Sequence, residues 1–297
     1  MSRPARLAVG VVSTGRVGAV LGAALARAGH TVVAASGVSK ESVRRAEELL
    51  PDVPLKPPDE VARAADLVLL ALPDDALAGV MRGLVAMDAV RPGQIVVHTS
   101  GAHGVEVLEP AAGIGALPLA LHPVMTFTGR AEDLERIAAC CFGVTAADGD
   151  EAAWSVGEAL VVEMGAEPVR VPAAARPLYH TALTHGANHL VTLVGESAEL
   201  LRAAGVGGPE RLLGPLLSAA LDNALRHGDR ALTGPVARGD AGTVRAHIDV
   251  LAKHAPQMLP AYRALAARTA RRARDAGLLR ADLAPDVIAA IESEDEQ

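Results

Sequence analysis

Between residues 180 and 189, polar side chains recur at helical spacing. His180, Thr184 and Asn188 stand at i, i+4 and i+8, so they share one face of a helix, while His185 and His189 form a second i, i+4 pair on its flank. An imidazole with its ordinary pKa of about 6.5 can give or take a proton at neutral pH. His180, and after it His185, are therefore the candidates for proton transfer. The competing reading for both is capping, packing or a bond to backbone. A third metal ligand such as Glu196 would lie two turns beyond His189, so no catalytic metal is expected.

A second constellation lies near the start of the chain. The run LAVGVVS leads into Ser13-Thr14-Gly15-Arg16-Val17-Gly18, which is G-x-G-x-x-G with serine at the first glycine. In a strand–turn–helix setting the second glycine lets backbone approach a pyrophosphate and the third lets helix pack on strand; the free N–H groups at the helix start hold the phosphates. Serine is small enough to stand in for the first glycine. The alternative is an ordinary tight turn. The next strand ends at Ser36, and Gly37, Val38, Ser39 and Lys40 follow, with Arg44 and Arg45 one turn on. No carboxylate is there to bond a ribose 2′-hydroxyl, whereas hydroxyls and a lysine suit a 2′-phosphate, so the expected cofactor is NADP(H). The other reading of Lys40–Arg45 is the solvated face of a helix.

Three further residues are placed by the ends of elements. Ser100 and His122 close two apolar runs, QIVVHTS and LALHP, and strand C-termini of an open parallel sheet face the ligand crevice. Both are candidate substrate contacts; for His122 a satisfied loop histidine is the equal alternative. In TGPVARGD, Asp240 is placed to cap the following helix, which leaves Arg238 to bind an anionic substrate; a structural Arg–Asp turn is the alternative.

The elements that must position these residues follow from apolar periodicity. Short apolar runs (LAVGVVS, TVVAAS, VPLK, DLVLLAL, QIVVHTS, LALHP, FGVTA, EPVRV) alternate with helical patterns up to about residue 170, which predicts a parallel-dominated sheet covered on both faces. From Pro177 only helical patterns remain: 177–204, 209–227, 240–254 and 257–276. Leu183, Ala187, Leu190 and Val194 form one apolar stripe on the first of these. The expected organisation is an α/β domain over 1–172 and an all-α domain over 173–297.

Bulk properties narrow the function classes. The chain has 297 residues, half of them apolar, and a net charge of −7, which disfavours nucleic acid; with only 2% aromatic residues a base-stacking platform is also disfavoured. The two cysteines, Cys140 and Cys141, are adjacent and give no disulfide framework, which fits a reducing, cytoplasmic setting. The apolar run after Arg6 is too short for a leader peptide, and the uncharged stretch 110–129 carries prolines and glycines that argue against a membrane helix. The acidic tail IESEDEQ is expected to fray.

Taken together, VVSTGRVG, LVLLALPDDAL, VVHTSGAHG, LALHPVMTF, LYHTALTHGANHL and ALTGPVARGD resemble the Rossmann-like proteins with a C-terminal domain of unknown function 2520. These fall in the wider 6-phosphogluconate dehydrogenase-like group, with β-hydroxyacid dehydrogenases, ketopantoate reductases and pyrroline-5-carboxylate reductases. The resemblance covers nearly the whole chain; its first two motifs are shared by the group and its last two are more specific. It implies a nicotinamide-binding domain, a helical second domain and a homodimer through that second domain. It places Leu72, Pro73 and Asp74 along the cofactor ribose, and the His98–Gly101 loop with His122 near the nicotinamide. Reductases of the group carry Lys-x-x-x-Asn on the long helix. Asn188 matches that asparagine, whereas Thr184 stands at the lysine and cannot donate a proton in the same way. The implied activity is reduction of a C=O or C=N bond in a small anionic metabolite, with ketopantoate preferred and pyrroline-5-carboxylate and other imines next. The rival is a non-catalytic NADP-binding sensor or interaction protein that kept the fold and lost the lysine.

Overall fold

The computed structural model describes residues 6–293. Among them, seven strands form one sheet: β1 (Ala8–Val12), β2 (Thr31–Ser36), β3 (Leu67–Leu70), β4 (Ile95–His98), β5 (Leu117–Pro123), β6 (Cys141–Thr145) and β7 (Glu167–Arg170). Their order is β2-β1-β3-β4-β5-β6-β7. The first five strands are parallel, β6 is antiparallel to β5, and β7 is parallel to β6. The order reverses between β1 and β3, the place where open sheets of this kind open a crevice beyond their strand ends.

Seven helices accompany these strands: α1 (Arg16–Arg27), α2 (Lys40–Leu49), α3 (Pro58–Arg63), α4 (Asp74–Ala86), α5 (Glu109–Ala112), α6 (Glu132–Ile137) and α7 (Glu151–Glu163). The central strands β1, β3 and β4 are apolar on both faces because both are covered, whereas β7 at the sheet edge is mostly exposed. Along β3, Leu67 and Leu69 belong to one buried cluster and Val68 and Leu70 to another, as the two-residue period of a strand requires.

Helices alone follow: α8 (Arg176–Ala203), α9 (Glu210–His227), α10 (Pro235–Arg238), α11 (Ala241–His254), α12 (Leu259–Asp275) and α13 (Ala284–Glu292). In this part Val244, Ile248, Ala266, Ala270, Ala273, Val287 and Ile291 form a core of their own. The chain divides into two compact units, Met1–Gly186 and Ala187–Gln297. The last strand ends where the strand patterns stop, but the division falls later, inside α8. The reason is visible in the first unit: Arg176 and Tyr179, in the first turn of α8, bond to β4, β5 and β6 or to the loops at their ends.

Two sequence expectations need correction. VPLK is not a strand; Leu55 makes a single bridge to Ala35. Pro54 lacks an N–H, and Pro57 and Pro58 end the run, so no ladder can extend. The helix α13 was not anticipated, and it takes in Ile291 and Glu292 of the acidic tail; residues 294–297 of that tail lie outside the described residues. Among the described residues no helix is long and apolar enough to cross a membrane.

Candidate active site

The turn between β1 and α1 is built around Ser13. Its φ of 77° is left-handed, the region glycine occupies without strain and that costs other residues roughly 1–2 kcal/mol. Two bonds to the end of β2 hold it there: the Ser13 N–H donates to Ser36 Oγ at 2.9 Å, and the Thr14 N–H to the Ser36 carbonyl at 2.8 Å. Serine thus adopts the conformation of the missing glycine. A Cβ at Gly18 would collide with the Ser13 carbonyl oxygen and stand 2.9 Å from the Ala71 side chain, which explains glycine at the helix-packing position.

Gly15 is the N-cap of α1. No side chain caps this helix and its first turn holds no acid, so its leading N–H groups are unclaimed by side chains. A Cβ at Gly15 would meet nothing nearer than Ser13 Oγ at 3.6 Å. Open space above free N–H groups at a helix start is what a pyrophosphate requires. A dinucleotide therefore fits the residues present.

Other predicted cofactor contacts divide by where their polar atoms go. The Thr14 hydroxyl is fully buried and shared between the carbonyls of Ser36 and Ser42; the Ser36 hydroxyl is taken by Ser13 N–H; Ser39 Oγ caps α2 by accepting from Ser42 N–H at 3.1 Å. These three shape the turn. Lys40 and Arg16 are exposed at the starts of α2 and α1. Arg44 leans along α2 to Glu48 at 3.5 Å, whereas Arg45 turns inward: both Arg45 Nε and Arg16 Cγ lie 2.8 Å from where a Cβ of Gly129 would be. Val17 is half-buried against the core. Leu72 packs on the core beyond β3, Pro73 is the N-cap residue of α4 and Asp74 is its first residue.

A polar cluster lies at the same edge of the sheet, where β4 and β5 end and α8 begins. At its base is Arg176, wholly buried. Its Nε donates to Thr145 Oγ1 (2.8 Å), Nη1 to the Ser100 carbonyl (3.0 Å), and Nη2 to the carbonyls of Ala120 (3.0 Å) and Gly143 (2.8 Å). All these acceptors are neutral. Burial lowers its pKa to about 10, so the group stays charged at neutral pH. The planar fork of arginine suits four fixed acceptors.

Two histidines beside it are kept neutral. Burial, then the Arg176 charge, push His122 down to about 4; burial also brings His98 to about 4. His98 Nε2 donates to the Gly104 carbonyl (2.9 Å) while Nδ1 accepts from the Ser100 N–H (3.2 Å). His122 Nδ1 lies 2.8 Å from the Tyr179 hydroxyl. The His180 ring stands edge-on to His122, centroids 6.0 Å apart. Gly101 lies against both: a Cβ there would stand 2.6 Å from His180 Cδ2 and 2.8 Å from His122 Nε2. Burial raises the Tyr179 hydroxyl above its ordinary pKa, so it remains a phenol. Ser100 Oγ accepts from the N–H groups of Ala102 and His103 (3.2 Å each), which leaves its own proton to donate.

The structure therefore brings Ser100, His122 and His180 together. Thr184 is half-buried and His185 exposed on the next turn of α8. Asn188 and Arg238 belong to the second unit, where both are exposed. Asp240 caps α11 through the Thr243 N–H (3.0 Å). Sequence reasoning gave no role to Arg176 or Tyr179. The available signal was an arginine closing the uncharged run VPAAA, immediately before a helix. The second unit holds a largely apolar cavity of about 370 Å³ lined by Leu200, Val236, Leu251 and a His247–Tyr262 pair, Nδ1 to hydroxyl 2.9 Å.

A Rossmann-like domain model matches residues 1–123, and a model of a domain of unknown function, DUF2520, matches residues 140–269. No curated protein matches the sequence. Among solved structures, the chain is similar to a candidate NADP oxidoreductase from Bacteroides fragilis, at 23% identity over 90% of this chain and 98% of that one, TM-score 0.75. It is also similar to an imine reductase from Pseudomonas sp., at 19% identity over 97% and 100%, TM-score 0.63. A reductive aminase from Aspergillus terreus, in complex with NADPH and ethyl levulinate, matches at 17% identity over 95% and 99%, TM-score 0.65. At these identities the likeness is one of fold.

Proposed function

Since the chain belongs to the Rossmann-like proteins that carry a DUF2520 domain, we propose that it is an NADP(H)-dependent oxidoreductase that reduces a C=O or C=N bond of a small anionic metabolite. The observation that carries this reading is the turn at Ser13–Gly18, where left-handed backbone and an uncapped α1 make a place for a pyrophosphate. Lys40 at the start of α2, with Arg45 on the same helix and Arg16 at the start of α1, supplies positive charge for a 2′-phosphate, and no carboxylate ends β2. NADP(H) supplies hydride when bound; the protein's part is to hold it against the substrate and manage the proton. We assign that work to Ser100 and His122 at the strand ends and to His180 on α8, with Thr184 and His185 further along that helix; Asn188 and Arg238, in the second unit, are candidate substrate contacts on the sequence alone. The similarity to proteins described as acting with NADP or NADPH supports the cofactor. Ketopantoate is the first substrate to try, by analogy with the wider group. The free cysteines Cys140 and Cys141 favour a cytoplasmic setting.

Titration with NADPH and NADH, followed by nicotinamide fluorescence, tests the reading. Micromolar binding with at least tenfold preference for NADPH supports it. Binding of neither refutes it. Binding without turnover of any oxo acid or imine favours the non-catalytic sensor, for which Thr184 at the usual lysine position is the motivating observation.

The reading includes a homodimer. Of the 18 residues of α9 only Leu213 is buried, while Leu212, Leu216, Leu221 and Leu225 are exposed. A helix of this length has little stability in water unless an apolar face is covered, and a second copy of the chain is the occupant we assign. Light scattering should show a dimer for the wild type and a monomer, or a much weaker dimer, for Leu216→Glu.

A further inference from the structure

The reading above leaves open whether the reduced bond is C=O or C=N, and the charges around His122 distinguish the two. The argument rests on that reading. Arg176 is buried and bonded only to neutral oxygens. His98 and His122 carry no charge at neutral pH. The remaining titratable groups around them are Tyr179, His180, His103, Asp74 and Glu106. Of the two carboxylates, Glu106 has an oxygen on the Gly104 N–H at 2.8 Å, and Asp74 is the weakest influence on His122. A C=N bond accepts hydride readily as an iminium, a cation. A buried guanidinium with no carboxylate in hydrogen-bond contact, Glu106 acting on it only from a distance, repels a cation and favours negative charge. A carbonyl oxygen gains negative charge as hydride arrives, which is what such a field stabilises.

We infer that the site reduces a carbonyl, and that His122 Nε2–H, set by the Tyr179 hydroxyl on Nδ1, meets the carbonyl oxygen of a small oxo acid. The Tyr179 hydroxyl lies 2.8 Å from Nδ1, its one hydrogen-bond partner among the described residues. The phenol O–H is the more acidic of the two possible donors, so we assign it as the donor; Nδ1 then accepts and the imidazole proton sits on Nε2. Nε2 faces Gly101, where a Cβ would stand only 2.8 Å away, so any larger residue there would block this nitrogen. Neutral imidazole is an established electrophile for a carbonyl oxygen in other enzymes.

The chemical step balances as follows. The substrate carbon takes hydride, with its electron pair, from reduced nicotinamide, and the C=O pair moves to oxygen. That oxygen takes the Nε2 proton while the phenol proton passes to Nδ1. An alkoxide is a stronger base than a phenolate, so the transfer runs downhill. The phenolate is left beside Arg176, whose guanidinium carbon lies 5.6 Å from the ring centroid. A solvent proton then adds to Nε2 as Nδ1 returns its proton to the phenolate, which restores the phenol and the Nε2–H ring. His122 touches the substrate and is the catalytic residue; Tyr179 acts through it.

Two measurements on the full-length protein test this. The first is ¹⁵N imidazole spectroscopy without cofactor at pH 7. The expected result is His122 as the neutral Nε2–H tautomer, becoming a mixture of tautomers in Tyr179→Phe. A protonated ring or an Nδ1–H tautomer in the wild type overturns the proposal. The second measures kcat/KM with NADPH for a panel of 2-oxo acids, ketopantoate included, against cyclic imines such as pyrroline-5-carboxylate. Oxo acids should lead by at least tenfold; a lead for the imines overturns the substrate class. Tyr179→Phe should lower kcat by about 10²-fold with KM changed less than twofold; a rise in KM with kcat intact overturns its positioning role. If this variant does not fold, the wild-type tautomer and the probe preference still decide. If neither panel is reduced, the reductase reading itself fails and the substrate class falls with it, whereas an Nε2–H tautomer with oxo acids reduced upholds both.

Discussion

The two units each contain a histidine bonded through Nδ1 to a tyrosine hydroxyl, and the two pairs are nearly superimposable as chemistry. His122–Tyr179 is 2.8 Å long with rings at 86°; His247–Tyr262 is 2.9 Å with rings at 81°. Their surroundings differ. His122 has a buried guanidinium behind it, lies against His180, and sits at the carboxyl edge of a parallel sheet. His247 is exposed on α11 at the margin of an apolar cavity. The same hydrogen bond is thus a tuned donor in one place and a local structural contact in the other. Environment makes the difference, and each element of it can be altered separately.

Acid should have the largest effect on the first pair. Unfolded, His98 and His122 titrate near their ordinary value of about 6.5; folded, near 4. Between these values the unfolded chain binds more protons, so stability is full above about pH 6.5 and is lost as pH falls toward 4. Each histidine contributes a loss of up to about 3 kcal/mol over that window. Urea denaturation at pH 7.5, 6.0, 5.0 and 4.5 should show the slope. His122→Gln should reduce it by nearly half. A stability that stays flat from pH 7 to 4.5 would show that neither ring is held neutral.

Removing the charge comes next in size. Arg176→Met removes the donor that four acceptors share: Thr145 Oγ1 and the backbone carbonyls of Ser100, Ala120 and Gly143. Unpaired buried polar groups are costly, and a loss of about 3 kcal/mol corresponds to a melting point lower by roughly 6–12 °C in a chain of this size. In the same variant the His122 pKa should move up, because one of the two main causes of its depression is gone. Arg176→Lys keeps the charge but cannot span four acceptors, so it should melt low while His122 stays neutral. That split would identify charge, rather than packing, as what distinguishes the two pairs.

The contrast also shows what a linear sequence reveals. The strands were legible because both their faces are covered, so each reads as a continuous apolar run, and TVVAAS coincides with β2. The long helix was legible from its start at a proline and its polar spacing. VPLK was misread because its apolar residues were counted while the missing N–H of Pro54 was not. The Ser13 turn was legible as a motif, but its left-handed backbone was not, since only three-dimensional contact with Ser36 fixes it. Tyr179 and Arg176 were invisible for a related reason. Their roles come from Thr145, Ala120 and Gly143, which are distant in sequence and reach the first turn of α8 only through strand pairing. Position in a helix pattern nominated His180, and tertiary contact adds its neighbour.

The smallest expected effect is also the sharpest control. Tyr262 is half-buried, and its hydroxyl bonds an exposed histidine. Replacing it by phenylalanine removes one neutral hydrogen bond whose partner can turn to water, which costs about 0.5–1.5 kcal/mol. Tyr179→Phe removes a bond of nearly the same length but leaves the buried Nδ1 of His122 without its partner, so it should cost more, about 1–3 kcal/mol. Turnover should part the two further. Tyr262→Phe should keep the wild-type kcat and KM, because His247 lies outside the residues assigned to the site. Tyr179→Phe should lose kcat even at temperatures well below its melting point. Equal losses of kcat would mean that both pairs act only by holding their units together. A kcat loss confined to Tyr179, measured where both variants are fully folded, requires that the direction of one proton on His122 matters to the reaction.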